Sequence, residues 1–515
     1  MGTGTDMGMS NRSSSLLGML LIAAGAVDAQ QYGTDISSKR TVTIVPRVVV
    51  SETFTNNVRL ASSGQQSEQI TEVSPGIRLS IDGARLKTYL DYSLSEVMYA
   101  QNTSSRRSQN ALNTFGVFEA LDNWAFVDFS SSISRQAISA FGTQSNSNTA
   151  INANQTEVSS YRLSPYIRGR LGAFANYDAR YSRSLTQSDT TVASGTATAE
   201  GAVKINGGSS FASLGWTADL SQQNIDYSAG RPTQSGNASL GLTYFLSPQA
   251  NAFATAGREF NNFTTIDKEG YATNSIGLNW QPSEMTKASA SRSQRSFGQA
   301  HSLTFQHRTA RTAWTFSDLK DVSATPSQTG IVSVGSVYDL LFIQFSTLEP
   351  NPVLRAQLVN AYLQAANISP TAPVTTNALT SAVSLLRRQD ISFALLGVRD
   401  TITFIGTQSK TSRLDVISTA LDDLSASSVL RQHGFSVNYA HRLTPDYSLG
   451  VLVSQQNTSG SLNTQESSLK SLNVSLTGKV GSRASATVSA RRVVSGSHTA
   501  PYGETAITGN INVQF

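Results

Sequence analysis

The chain has 515 residues with no cysteine, 39 Lys+Arg against 34 Asp+Glu, and a formal net charge of +5. Charged residues make up only 14%, against roughly 25% in an average soluble domain, and mean hydropathy is -0.18. A helical membrane protein is excluded, because that needs runs of roughly 18 apolar residues. The missing cysteine excludes disulfides, thiolate metal sites and a lipoprotein anchor, and the basic residues read as dispersed, so nucleic acid is not the expected partner.

In chain order the first element is a secretory signal. An apolar core over residues 16–26 follows Arg12, and Val27-Asp28-Ala29 places small residues before a cleavage site at Gln30. This predicts residues 1–29 as signal peptide and 30–515 as the mature domain of an exported protein.

From Thr41 onward the dominant period is two, which assigns alternate residues to opposite faces of strands. Leu86, Thr88, Leu90, Tyr92 and Leu94 share one face, and Lys87, Tyr89, Asp91 and Ser93 the other. The same alternation runs through Ala238–Leu246, Phe435–Tyr439 and Leu472–Leu476. Tight turns are expected at Asp82-Gly83, Leu121-Asp122-Asn123, Leu171-Gly172, Gly207-Gly208, Ser247-Pro248-Gln249, Gln281-Pro282-Ser283, Leu443–Asp446 and Gly481-Ser482. Between them lie longer connectors rich in Ser, Asn, Thr and Gln. Short and long connections in alternation are the rhythm of a membrane barrel with periplasmic turns and extracellular loops, which a Greek-key sandwich has no reason to keep. The predicted fold class is therefore all-β: one large antiparallel transmembrane β-barrel of about 22 strands, within a range of about 16 to 24. Tyr92, Tyr161, Trp216, Tyr244, Trp280, Trp314 and Tyr439 fall on the predicted outward faces, as an interfacial aromatic girdle requires.

Residues 330–375 break the pattern. Asn351-Pro352 opens a helix with an apolar stripe through Leu354, Leu358, Ala361, Tyr362 and Ala365. A small helical insert hung from an extracellular loop is expected, as plug, cap or rim satellite. The last strand places Ile507, Ile511, Val513 and the terminal Phe515 on one lipid-facing stripe. It is similar to the C-terminal insertion signal that the barrel-assembly machinery reads.

Several segments together resemble the PEP-CTERM system-associated outer-membrane protein family. They are Pro46–Val58, Val73–Ile77, Leu90–Leu94, Ile138–Gly142, Arg295–Gly298, His307–Thr309, Pro350–Pro352 with Arg355–Gln357, and Leu396–Asp400. The family's Arg-Phe-Phe-Gly stretch here carries Ser296-Phe297 as its middle pair. The resemblance spans nearly the whole mature chain. It implies a barrel linked to exopolysaccharide production and to sorting of exported PEP-CTERM proteins, and it supplies no catalytic residues.

No motif for hydrolysis, nucleotide binding or metal ligation occurs, so no enzyme activity, cofactor or metal is expected. An active site assembled from distant strands would leave no trace in one sequence. The functional expectation rests on inward-facing cations at Arg78, Arg85, Lys87, Arg162, Arg168, Arg170, Arg180, Lys479 and Arg491. A lumen lined by them favours an acidic polysaccharide, while Asp91, Asp178 and Asp219 on the same faces allow plain salt-bridge ladders instead. The expected function is a gated conduit for export or surface assembly of exopolysaccharide or PEP-CTERM proteins, with the outer-membrane lipid and export components as partners. A general diffusion porin and an outer-membrane enzyme acting on lipid or glycan are the alternatives.

Overall fold

The computed structural model describes residues 41–190, 195–211, 213–323, 382–415, 417, 422–462, 465–497 and 501–515, together with Arg355 and Val359. The signal segment lies outside the described residues, as does the 330–375 insert apart from Arg355 and Val359, which are both helical.

Twenty-two strands run in sequence: β1 (Thr41–Thr55), β2 (Glu68–Asp82), β3 (Leu86–Tyr99), β4 (Arg107–Leu121), β5 (Ala125–Ala137), β6 (Gln155–Leu171), β7 (Ala175–Ser188), β8 (Thr196–Phe211), β9 (Leu214–Tyr227), β10 (Thr233–Ser247) and β11 (Ala250–Asn261). They continue with β12 (Glu269–Ser283), β13 (Thr286–Arg295), β14 (Gly298–Arg308), β15 (Thr312–Ser323), β16 (Ser384–Leu396), β17 (Asp400–Arg413), β18 (Val429–Arg442), β19 (Tyr447–Ser459), β20 (Glu466–Lys479), β21 (Ala484–Ser497) and β22 (Tyr502–Gln514). One helical turn, α1 (Asp423–Ala426), sits between β17 and β18. Each strand pairs antiparallel with its sequence neighbours, and β1 pairs with β22 from Arg47↔Gln514 to Thr55↔Ala506, closing the sheet. Closure removes every sheet edge, the condition for a sheet to cross a bilayer.

The two faces differ as the alternation requires. On β10, Leu240, Leu242 and Tyr244 point outward at 68%, 57% and 51% exposure, and their cross-strand partners Ala218, Trp216, Ala256 and Ala254 extend the same stripe. Exposed apolar side chains continue round the barrel at Leu163, Leu220, Ile276, Leu303, Ile391, Phe404, Phe435, Leu472 and Ile507. A surface this apolar is stable only against hydrocarbon. The protein is an outer-membrane β-barrel. All seven expected girdle aromatics share this outward face, and Trp216, Tyr244, Trp280, Trp314 and Tyr439 lie beside the short-turn rim. There Trp216 packs on Phe174 and Trp314 on Phe393.

Two turns are displaced from the sequence expectation. β8 runs past Gly207-Gly208 to Phe211 through a register shift, so its turn falls five residues later. β12 reaches Ser283 through a bulge after Trp280, leaving Glu284-Met285 as the connection. The Pro-Ser and Gly-Gly pairs mark those bulges, where an extra residue is accommodated, rather than the turns. The alternation of short and long connections fails at two places, and at one of them the β21–β22 connection, 498–501, is no longer than the short turn 480–483 before it. At the other, β13 and β14 are joined at the long-loop rim by Ser296-Phe297 alone, with Gly298 at φ 102 closing a hairpin that a side-chain-bearing residue would strain.

Candidate functional site

Inside the wall, most charges are matched. Asp91 on β3 takes Arg47 and Arg78 from β1 and β2 at 3.0 Å each, and the Tyr89 hydroxyl at 3.2 Å. Arg180 meets Asp128 at 2.6 Å with its guanidinium over the Tyr166 ring. Arg162 reaches Glu200 at 3.7 Å and donates to Ser164 and Ser182. Arg168 stacks on Phe126 at 4.3 Å, and Arg491 meets Glu504 at 3.0 Å. Lys87 lies 3.9 Å from Asp82, and Arg170 and Lys479 stand exposed near the short-turn rim. Arg85 departs from expectation: it belongs to the β2–β3 turn, not the wall, and pairs with Asp122 in the open at 2.7 Å.

Further inward ion pairs went unread in the sequence: Lys204–Asp219 at 3.7 Å, Arg388–Asp390 at 2.8 Å, and Arg295 between Glu259 at 2.7 Å and Asp321 at 3.3 Å. The expected basic lumen is thus a mixed one in which most cations have an acid across the sheet. Hydroxyl pairs such as Ser289–Thr304, Ser454–Ser471 and Thr477–Thr487 fill much of the remaining inner surface.

At the long-loop rim the lumen is roofed. The connection 138–154 between β5 and β6 folds inward and touches inward-facing groups far around the wall. Tyr99 of β3 donates to the Thr149 carbonyl at 2.8 Å, and Arg107 and Gln109 of β4 donate to the Asn148 carbonyl at 3.1 and 3.0 Å. Ile151 N–H donates to the Val58 carbonyl at 2.9 Å, and Tyr502 of β22 donates to the Gln144 carbonyl. Apolar packing follows the same path. Ala150 joins Leu60, Leu469, Val493 and Tyr502, while Ile151 packs against Val58, Ile70, Val97 and Tyr99.

The start of the connection is tied to α1. Asp422 caps this turn, its carboxylate accepting from Ser425 N–H at 2.9 Å. Asp423 then accepts from the Ser139 hydroxyl and the Ala140 N–H, both at 2.6 Å, above a cluster of Ala140, Leu424 and Leu430. Burial pushes the Asp423 carboxyl above its usual range, more than those two hydrogen bonds lower it, with Asp422 adding to the rise. Going round through β1 and β22, nine of the 22 strand intervals separate β5 from β18, so the connection is a chord across the lumen. A second tie uses Arg231 from the β9–β10 connection. It donates to carbonyls of Asn262, Phe263 and Thr265 and meets the buried Asp415 beyond β17 at 3.2 Å.

The roof left little trace in the sequence. Residues 138–154 read as one more polar loop, and only Ile138-Ser139-Ala140-Phe141-Gly142 stood out, as part of the family resemblance.

No family model matches the chain, and no curated protein matches it. Solved structures similar to it include the siderophore receptor PirA from Pseudomonas aeruginosa, 8% identical over 93% of this chain and 82% of that one, TM-score 0.45. The siderophore receptor PirA from Acinetobacter baumannii is 10% identical over 93% and 81%, TM-score 0.44. The FrpB iron transporter from Neisseria meningitidis, F5-1 variant in apoprotein form, is 11% identical over 92% and 81%, TM-score 0.48.

Proposed function

We propose that this barrel is a gated conduit for export or surface assembly of a hydrated, polyhydroxylated polymer, an exopolysaccharide as the family resemblance implies. The observation that carries the reading is the chord of residues 138–154, pinned by Asp423 and Tyr502 across an otherwise polar lumen. A permanently open diffusion pore gains nothing from such a chord, so gating is preferred over the general porin. The inner surface suits the cargo. Hydroxyls and neutralised ion pairs offer a chain of sugars many weak, exchangeable hydrogen bonds, and no strong charge traps it in transit. The earlier expectation of selectivity for an acidic polymer loses its footing, because the cations that carried it are mostly matched. The barrel-assembly machinery and export components stay as proposed partners.

The test is conductance of the refolded chain in a planar bilayer. Because the chain has no cysteine, Ser139→Cys with Asp423→Cys is the sole thiol pair. Oxidised, it should hold conductance near zero; reduced, it should open more readily than the wild type, since the Asp423 carboxylate that pins the chord is gone; deletion of residues 142–152 should give large steady steps. Absence of conductance after the deletion would sink the conduit.

A further inference from the structure

We propose that the outward face of β13–β18 carries a binding strip for the phosphate groups of an anionic glycolipid in the outer leaflet. Arg292, His301, Lys320, Arg387, Lys410 and Arg431 stand directly opposite one another on six successive strands: Arg292↔His301, His301↔Lys320, Lys320↔Arg387, Arg387↔Lys410 and Lys410↔Arg431. Five interstrand gaps make a row about 24 Å long.

Its face is fixed by parity. Phe316, Ile391 and Phe435, each four residues from a row member on the same strand, belong to the apolar belt and stand partly or fully exposed there. Four residues are roughly 13 Å along the strand, so the row lies on the long-loop side of these belt residues, toward the headgroups of the outer leaflet. Charged side chains on a barrel's lipid face are costly at the midplane and tolerated only near this interface.

Like charges directly opposite across a ladder repel and weaken pairing. Here three such contacts follow in succession, from Lys320 through Arg387 and Lys410 to Arg431. Among the described outward residues of β13–β18 only Asp318, shared by His301 at 3.0 Å and Arg387 at 3.2 Å, offers an acid near the row. The next acid outward on these strands, Asp400, lies at the opposite rim with Tyr439 and His441. Arg292, Arg387, Lys410 and Arg431 are exposed. A row of cations with a single protein acid beside it, facing the leaflet rather than water, is complementary to multivalent anions arrayed in that leaflet. The occupant is therefore a phosphorylated glycolipid, whose phosphates sit at this depth. The expectation of dispersed basic residues is corrected here: they are scattered in sequence and aligned by register.

The test uses the full chain refolded in zwitterionic micelles, with a diphosphorylated glycolipid and its dephosphorylated counterpart as probes. Native mass spectrometry reads occupancy and thermal unfolding reads stability. The wild type should bind the diphosphorylated probe and melt higher with it. The variant Lys320→Gln/Arg387→Gln/Lys410→Gln/Arg431→Gln should bind on the order of a hundredfold more weakly, yet melt higher than wild type without lipid, since its repulsion is gone. If that variant does not fold, Lys410→Gln/Arg431→Gln should show a tenfold loss. Equal binding of the dephosphorylated probe, undiminished binding by the variants, or a dimer that the variants dissolve, which makes a second copy the occupant, each overturns the proposal.

Discussion

The inner and outer faces of the same strands, compared near the long-loop rim, follow opposite rules. Inside, Arg295 is clamped between Glu259 and Asp321, and Arg491 is held by Glu504. Outside, cations face cations on β15–β18 from Lys320 to Arg431. An inner cation shielded from bulk water must find its counter-charge within the protein, because an unmatched buried charge costs several kcal/mol. An outward cation at the headgroup level can draw its counter-charge from the membrane. Where the protein supplies no acid, the surroundings supply the anion.

The comparison breaks most readily at Glu259, which is 3% exposed. Glu259→Gln leaves Arg295 with Asp321 alone and should cost about 2–3 kcal/mol, read as a lowered unfolding midpoint in zwitterionic micelles. The roof gives the next effect. Asp423 has a raised carboxyl pKa when folded, so its contribution to the tie is fully present below the unfolded value and is lost as pH rises through the folded one. Open probability should therefore increase with pH above the ordinary carboxylate range, and Asp423→Asn should flatten the profile. A profile unchanged by the substitution removes Asp423 from gating. Lys410→Glu should go the other way from Glu259→Gln, stabilising the lipid-free barrel by about 0.5–1 kcal/mol by turning two repulsive cross-strand contacts attractive. Destabilisation in that experiment would mean the row already has an internal counter-charge. Phe515→Ala should change the folded barrel's stability by less than about 0.5 kcal/mol, since the side chain is exposed at the strand end. Its yield of assembled barrel in cells should fall several-fold if the terminal aromatic is an insertion signal.

Sequence period two, punctuated by turn residues, carried the barrel and its strand number, because both are local: each strand and turn announces itself within about a dozen residues. Gly207-Gly208 and Gln281-Pro282-Ser283 misled by a few positions, since Gly and Pro mark bulges as readily as turns. Parity placed Arg78, Arg162, Arg180 and Arg491 on the inner wall. It could not show their partners Asp91, Glu200, Asp128 and Glu504, which depend on how far each strand slides against the next. The outward row is the plainest case. Lys320 and Arg387 are 67 positions apart in the chain, yet Lys320↔Arg387 is a direct pair. The chord of residues 138–154 was hidden for another reason: a polar loop that folds inward has the same composition as one that stays in water.

The order of the sheet has a consequence for how the barrel forms. Every pairing but one joins neighbours in sequence, and all of these but β15–β16, separated by residues 324–383, can form as a hairpin closed by a short connection; the exception joins β1 to β22, with Thr55↔Ala506 at its long-loop end. Closing that seam from the open chain would cost about 3 kcal/mol more in chain entropy than closing a 15-residue hairpin. Hairpins formed first bring the two ends together along the curling sheet and remove most of that difference. Folding is thus a long series of mostly local steps ending in the most non-local one, which concentrates the kinetic barrier in the final strand.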